Sequence, residues 1–355
     1  MKTLGFFLLL LVLLFACCNQ PEQETATTKK EVYSLTGDTV TAIGNEIRDI
    51  LQDSKNRYWF ASNGEGLFRY DPSTGTTVQY TDKHGLCSNF VWNVTEDNQG
   101  NIWIKTRDNI CYFDGEKFIP KTTDGNTMQK MEYAYPDHKL MAEYYCNSKS
   151  LIKMKLPETS LLNKEDHSRY KYDVYSTCQD SKGNTWVGTC TAGVCIYNGK
   201  DYTWVNYKEL GLPVRCIFED RNGITWIGNN GSGLLRYDPV TQTLTNITKE
   251  MKLENPGFGE KNLGMEGTLA RVWSITDDSI GNLWIGTIDA GVWMLDTKTN
   301  ALTNFTDKEG LDVDAIWKVY KDRNNQLWFG TDGFGVYTLD VSNQGQKKFK
   351  RFMGK

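Results

Sequence analysis

The chain has 355 residues, 40 basic and 44 acidic side chains, and a formal charge of −4. That balance excludes a protein built to neutralise a phosphate backbone, which would be distinctly basic, so nucleic acid is not an expected partner. Three His leave little for a His-rich metal centre, and no metal or cofactor is expected. The 11 Trp, 18 Tyr, 15 Phe and 32 Gly beside only 8 Pro point to strands joined by Gly turns.

Residues 1–16 read MKTLGFFLLLLVLLFA. One Lys precedes an apolar run too short to span a bilayer as a stable helix, the order of a signal peptide. Leu14-Phe15-Ala16-Cys17 follows and resembles a bacterial lipoprotein signal, in which the Cys becomes the lipidated first residue. Cys17 is therefore the expected lipidation site, with Cys18 offering a second register. An ordinary cleaved signal and a retained anchor are the alternatives. Residues 18–30 are polar and suit a flexible tether. The order implies export to the periplasm or outer membrane, with membrane contact through the lipid.

Export changes how the other cysteines read, because an oxidising compartment permits disulfides. Cys87, Cys111, Cys146, Cys178, Cys190, Cys195 and Cys216 remain. No CxxC occurs, so zinc and thioredoxin-like readings have no support. Cys190 and Cys195 flank a predicted hairpin turn and are the best disulfide candidates. Most of the others read as small buried hydrophobes.

From residue 53 onward one phrase recurs. It reads DSKNRYWFAS from Asp53, DNQGNIWIKT from Asp97, DSKGNTWVGT from Asp180, DRNGITWIGN from Asp220, DSIGNLWIGT from Asp278 and DRNNQLWFGT from Asp322. Its Trp residues (59, 103, 186, 226, 284 and 328) lie at intervals of 44, 83, 40, 58 and 44. The 83 is near twice the usual spacing, which predicts a degenerate seventh copy over 137–154. The 58 implies an insertion, residues 249–268, carrying Phe258. Each copy reads as four short strands with a tight turn at the Asp phrase. The fourth turn position is Gly in four copies and Asn in two, residues that tolerate a left-handed backbone. Four antiparallel strands repeated seven times describe an all-β, seven-bladed β-propeller over 31–355, whose blades bury their faces on one another. Residues 31–36 and 347–352 both resemble a fourth strand, and only one can complete the last blade.

The Asp-x-x-Gly-Asn-Leu-Trp-Ile-Gly-Thr phrase is followed by Gly-Val/Leu-x-x-Tyr/Leu-Asp and by Thr-x-x-Phe/Tyr-Thr-x-x-x-Gly-Leu. Together these resemble the two-component regulator propeller repeat. The resemblance implies the periplasmic sensing portion of a hybrid sensor kinase, commonly concerned with polysaccharides. No kinase or DNA-binding domain is legible, so the expectation is a stand-alone, monomeric binding module.

The first strand of each blade should line the central channel. Five residues before each Asp its upper end carries Arg48, Trp92, Tyr175, Arg215, Trp273 and Trp317. Aromatic faces stack on sugar rings, and Arg is a forked donor for carboxylate or sulfate. These six, with Phe258 on the inserted loop, are the candidate ligand site for a glycan or other small extracellular ligand. Packing of the channel mouth is the competing reading for the same side chains, and a scaffold for an envelope protein is the competing function. The repeated Trp and turn Asp residues read as structural. No G-x-S-x-G, HExxH or phosphate-binding loop occurs, and no catalytic residue is assigned. A propeller lyase or hydrolase ranks last, because the next channel positions (Asp49, Asn93, Ser176, Cys216, Ser274, Lys318) hold no recognisable acid/base pair. His84, His138 and His167 read as surface residues.

Overall fold

A computed structural model describes residues 36–106, 110–121, 174–190, 193–200, 202–205, 210, 213–257, 267–342 and 345–354. All fall in one compact unit spanning 33–355. Cys17 and the export segment, residues 122–173 and Phe258 lie outside the described residues, as do His138 and His167.

Six antiparallel sheets follow one another along the chain, each built on four strands in sequence order. Blade 1 consists of Ile47–Gln52, Tyr58–Ser62, Leu67–Asp71 and Thr76–Tyr80. Blade 2 consists of Val91–Glu96, Ile102–Thr106, Ile110–Phe113 and Phe118–Lys121. Blade 3 is built from Val174–Gln179, Thr185–Thr189, Val194–Tyr197 and Tyr202–Val205. Blade 4 is built from Val214–Glu219, Thr225–Asn229, Gly233–Asp238 and Thr243–Asn246. Val272–Asp277, Leu283–Thr287, Val292–Asp296 and Ala301–Phe305 form blade 5. Ile316–Lys321, Leu327–Thr331, Val336–Val341 and Lys347–Phe352 form blade 6.

The fold is the expected β-propeller of four-stranded blades, but the blade number is corrected from seven to six among the described residues. Each sheet answers to one Asp…Trp phrase. The seventh was inferred from spacing alone, over 137–154, where the phrase is missing; that span is not described.

The phrase is a clasp. In all six blades the Trp indole N–H donates to the Asp six residues earlier, at 2.8–3.0 Å. The other carboxylate oxygen accepts backbone N–H groups of the same turn, as Asp220 does from Asn222 and Ile224. One acid thus closes the turn and fixes the ring on the second strand. The fourth turn position is left-handed in every copy, at φ 63° for Asn56 and Asn325 and 76–98° for the four Gly.

The second strands of five blades, 1 and 3 through 6, are buried along their whole length, because they are covered on both faces by neighbouring blades. The apolar clusters accordingly straddle blade pairs. One joins blades 1 and 2 around Trp59, another blades 5 and 6 around Trp284, and a third blades 6 and 1 around Trp328. No blade of this size buries enough apolar surface alone, so stability resides in these seams. First strands pack 1 on 2, 3 on 4, 4 on 5, 5 on 6 and 6 on 1. Among the described residues no helix is long and apolar enough to cross a membrane.

Competition for the last outer strand is resolved: Lys347–Phe352 completes blade 6. The N-terminal Asp38–Val40 pairs with Thr77–Gln79 as a fifth strand outside blade 1. Two further expectations are corrected. Cys190 and Cys195 are not bonded to each other, and the disulfide among the described residues joins Cys87 to Cys111 with Cα atoms 6.1 Å apart. In the hairpin Cys195 lies opposite Val187, so a four-residue spacer does not place the two thiols face to face. His84 is buried rather than on the surface, where its Nδ1 accepts the Thr81 backbone N–H and its Nε2 lies 3.5 Å from Asp38.

Candidate functional site

In each blade the ladder between first and second strands skips one residue. Ile47 pairs with Ser62 and Asp49 with Ala61, so Arg48 is bypassed. Trp92, Tyr175, Arg215, Trp273 and Trp317 are bypassed at the same place. A bulge bends its strand and re-aims one side chain out of the regular alternation. Here six bulges send six side chains to one level of the channel, and all six line the same cavity of about 670 Å³. That volume is in the range of small-ligand sites. The structure therefore brings all six predicted channel residues together; Phe258 is the one proposed residue left outside the described set.

The ring is a continuous stack over five blades. The Arg215 guanidinium lies 4.4 Å from the Tyr175 ring centroid and 4.1 Å from that of Trp273. Trp273 meets Trp317 edge to face at 5.4 Å, and Arg48 lies 3.5 Å over Trp317. Such cation–π contacts strengthen as they are withdrawn from water. Trp92 and Tyr175 remain 44% and 41% exposed, so flat aromatic surface faces the opening. Burial, with Arg271 and Arg48 nearby, pulls the Arg215 pKa below its ordinary value against weaker opposition from Tyr175 and Cys190. An arginine so shifted still keeps its charge at neutral pH.

One step deeper, the channel is cross-braced. The Lys318 ammonium lies 2.7 Å from Asp49 Oδ1, while Asp49 Oδ2 accepts from the Asn93 amide and from the Val94 backbone N–H. Burial works to lower the Lys318 pKa, but the Asp49 carboxylate outweighs it and the net shift is upward. Ser274 accepts the Val319 backbone N–H, and Ser176 donates to the Val214 carbonyl. At the lower end Asp277 pairs with Lys321 and Arg221. These groups tie neighbouring blades together, and among the described residues no cluster of metal-ligating side chains occurs.

The profile described as "Two component regulator propeller" matches residues 41–64, 85–108, 171–191, 209–231 and 310–333. Five of the six repeats are thus matched as two-component regulator propeller repeats. Among solved structures, the extracellular domain of BT4673 from B. thetaiotaomicron, assigned to a one-component system, is similar at 18% identity and a TM-score of 0.56. A second structure of that extracellular domain, assigned to a hybrid two-component system, gives 18% identity and 0.51. Both alignments cover 87% of this chain and 40% of the other, so this chain spans well under half of those domains. The WD40 β-propeller domain of Doa1 aligns over 87% of this chain and 97% of its own at 11% identity and a TM-score of 0.55. At these identities the likeness is one of fold. No curated protein matches the chain.

Two features of the mouth were not read from the sequence. Arg271 approaches Trp273 at 6.0 Å and lies 3.5 Å from Asp289, and Glu46 pairs with Arg48. Both stand two residues before a ring position, on the same side of an extended strand, and that period of two was the available signal.

Proposed function

We propose that this regulator propeller is an exported, lipid-anchored binding module that takes a glycan or similar small extracellular ligand at the channel mouth. The observation that carries the reading is the repeated bulge. Six strands each spend one irregularity to aim an aromatic or Arg side chain at the same level, and packing alone does not require Trp92 and Tyr175 to stay open to solvent. Rings of this kind stack on sugar faces while Arg supplies directional donors. The likeness to extracellular domains of bacterial sensing systems agrees with export, and Cys17 is the residue that would carry the lipid.

The test is a thermal-shift screen of the full chain against a glycan library, followed by titration of hits into Trp273→Ala. A ligand that binds only the folded state raises the melting temperature by mass action. Hits lost in Trp273→Ala support the mouth; hits that Trp273→Ala and Trp317→Ala both leave unchanged count against it. Metabolic labelling with a fatty acid, lost in Cys17→Ser, tests the anchor.

A further inference from the structure

Four cations and two carboxylates line the channel: Arg48, Arg215, Lys318 and Lys321 against Asp49 and Asp277. Three of the cations are matched. Arg48 pairs with Glu46, Lys318 with Asp49, and Lys321 with Asp277. Arg215 has no carboxylate within ion-pair distance among the described residues. Its charged neighbours are Arg271 and Arg48, of like sign.

The geometry around Arg215 matters as much as the charge. Tyr175 and Trp273 both lie against the guanidinium, with ring centroids 4.4 and 4.1 Å from its carbon. Its five N–H donors lie in the guanidinium's own plane, so ring contacts over the face leave the fork itself uncovered. Its Nε is withdrawn from solvent with no protein acceptor, and the same holds for Arg48 Nε and Trp317 Nε1. The channel carboxylates, by contrast, are already engaged. Asp49 is held by Lys318, Asn93 and the Val94 N–H, and Asp277 by Lys321 and Arg221. The mouth therefore offers donors and the unpaired charge of Arg215, while its acidic side chains Glu46 and Asp289 lie against Arg48 and Arg271.

We propose that the ligand is an acidic saccharide, and that Arg215 selects it by an in-plane, bidentate bond to a single carboxylate or sulfate oxyanion. The inference rests on the mouth reading of the preceding section. A planar fork held against two rings is pre-organised for such a group, and a neutral hydroxyl neither matches the charge nor spans both donors. The sugar ring next to the oxyanion then falls against Trp273 and Trp317, whose edge-to-face contact holds them on the same wall.

Titration calorimetry of the full chain tests this with four probes. They are trigalacturonate, its fully methyl-esterified form, a monosulfated galactobiose, and neutral galactobiose. The first pair isolates a carboxylate and the second a sulfate ester. The expected result is binding of at least one acidic probe about 10- to 100-fold tighter than its neutral counterpart, the span of a charge-assisted hydrogen bond. Arg215→Met should abolish that preference, with a fall in melting temperature limited to the loss of two cation–π contacts, because Arg215 gives up no ion pair. Arg215→Lys should keep the charge but lose the fork, and should recover only part of the affinity. Acidic and neutral probes binding alike, or a preference that survives Arg215→Met, overturns the proposal while a loss in Trp273→Ala leaves the mouth reading intact. Binding by none of the four overturns the proposal and weakens the mouth reading with it.

Discussion

Asp49 on the first blade and Lys318 on the last meet at 2.7 Å across the seam that closes the ring. Asp49 is nearly buried at 5% of its side chain, while Lys318 keeps about a third open to the channel. Replacing Asp49 by Asn leaves the ammonium facing a neutral amide and frees one bond to Asn93. The expected cost is about 1–3 kcal/mol, below that of a fully enclosed pair because solvent reaches Lys318. The pH dependence has a definite sign. The Lys318 pKa is raised in the folded chain, so its contribution is complete below the ordinary lysine range and is lost as pH rises through the folded value. Urea unfolding should show a constant gap between the native chain and Asp49→Asn from pH 7 to 9, closing above roughly pH 10.5. A gap that widens with alkali would refute this assignment.

The turn clasp should be worth more than its exposed position in the sequence suggests. Asp220 accepts from two backbone N–H groups and from Trp226 Nε1 at 2.9 Å. Asp220→Ala leaves three donors without their partner, one of them the buried Trp226 indole, and should cost about 2–4 kcal/mol. Asp220→Asn keeps one acceptor oxygen and should lose less than half of that. Denaturant midpoints of the two variants give the comparison, and equal losses would mean that the acid matters only through its volume.

Much of this fold was legible because the constraints are local and repeated. The Asp-to-Trp spacing, the Gly/Asn alternation at the left-handed turn and the level of Arg48, Trp92, Tyr175, Arg215, Trp273 and Trp317 each follow from a period that the chain states six times. Whatever depends on partners distant in sequence was not legible. The Cys87–Cys111 bond joins a loop between blades to the third strand of blade 2, and no hairpin pattern announces it. His84 reads as a loop residue until the added strand at Asp38–Val40 is seen to cover it. The blade number failed for a different reason. An interval of 83 residues has the length of two repeats, but length is not the clasp, and no Asp…Trp pair marks the second one.

Two kinds of glycine serve the blades, and substitutions should separate them. A Cβ on Gly286 would lie 2.8 Å from Ile316 Cγ2 and 3.0 Å from Val319 Cγ2, inside the seam between blades 5 and 6. Gly286→Ala should therefore overpack the seam, at about 1–3 kcal/mol. Gly183 has φ 83° and nothing near its absent Cβ. Its requirement is backbone alone, so Gly183→Asn should be close to neutral, as Asn56 and Asn325 hold the same turn position at φ 63°. Thermal melts of the pair decide it. If Gly183→Asn proved the more damaging, the turn would be making contacts that its open surroundings do not suggest.

Cys87 and Cys111 close a loop of 24 residues in separation, and chain entropy puts the loss on removing that link at about 3 kcal/mol. The remaining thiols respond differently. Burial pushes Cys195 up to about 12 and Cys216 likewise to about 12, and Cys178 to about 11. Thiolate is the reactive form, so at pH 8 these three are almost entirely protonated and slow to alkylate while the chain is folded. Native treatment with iodoacetamide should leave Cys195 and Cys216 unmodified, and Cys87 and Cys111 should become reactive only after reduction. Peptide mapping reads all of these sites at once. A crosslinked peptide joining Cys190 to Cys195 would contradict the register that sets Cys195 opposite Val187. A Cys87→Ser/Cys111→Ser chain that melts with the native one would show that blade packing, not the crosslink, holds the loop between blades 1 and 2.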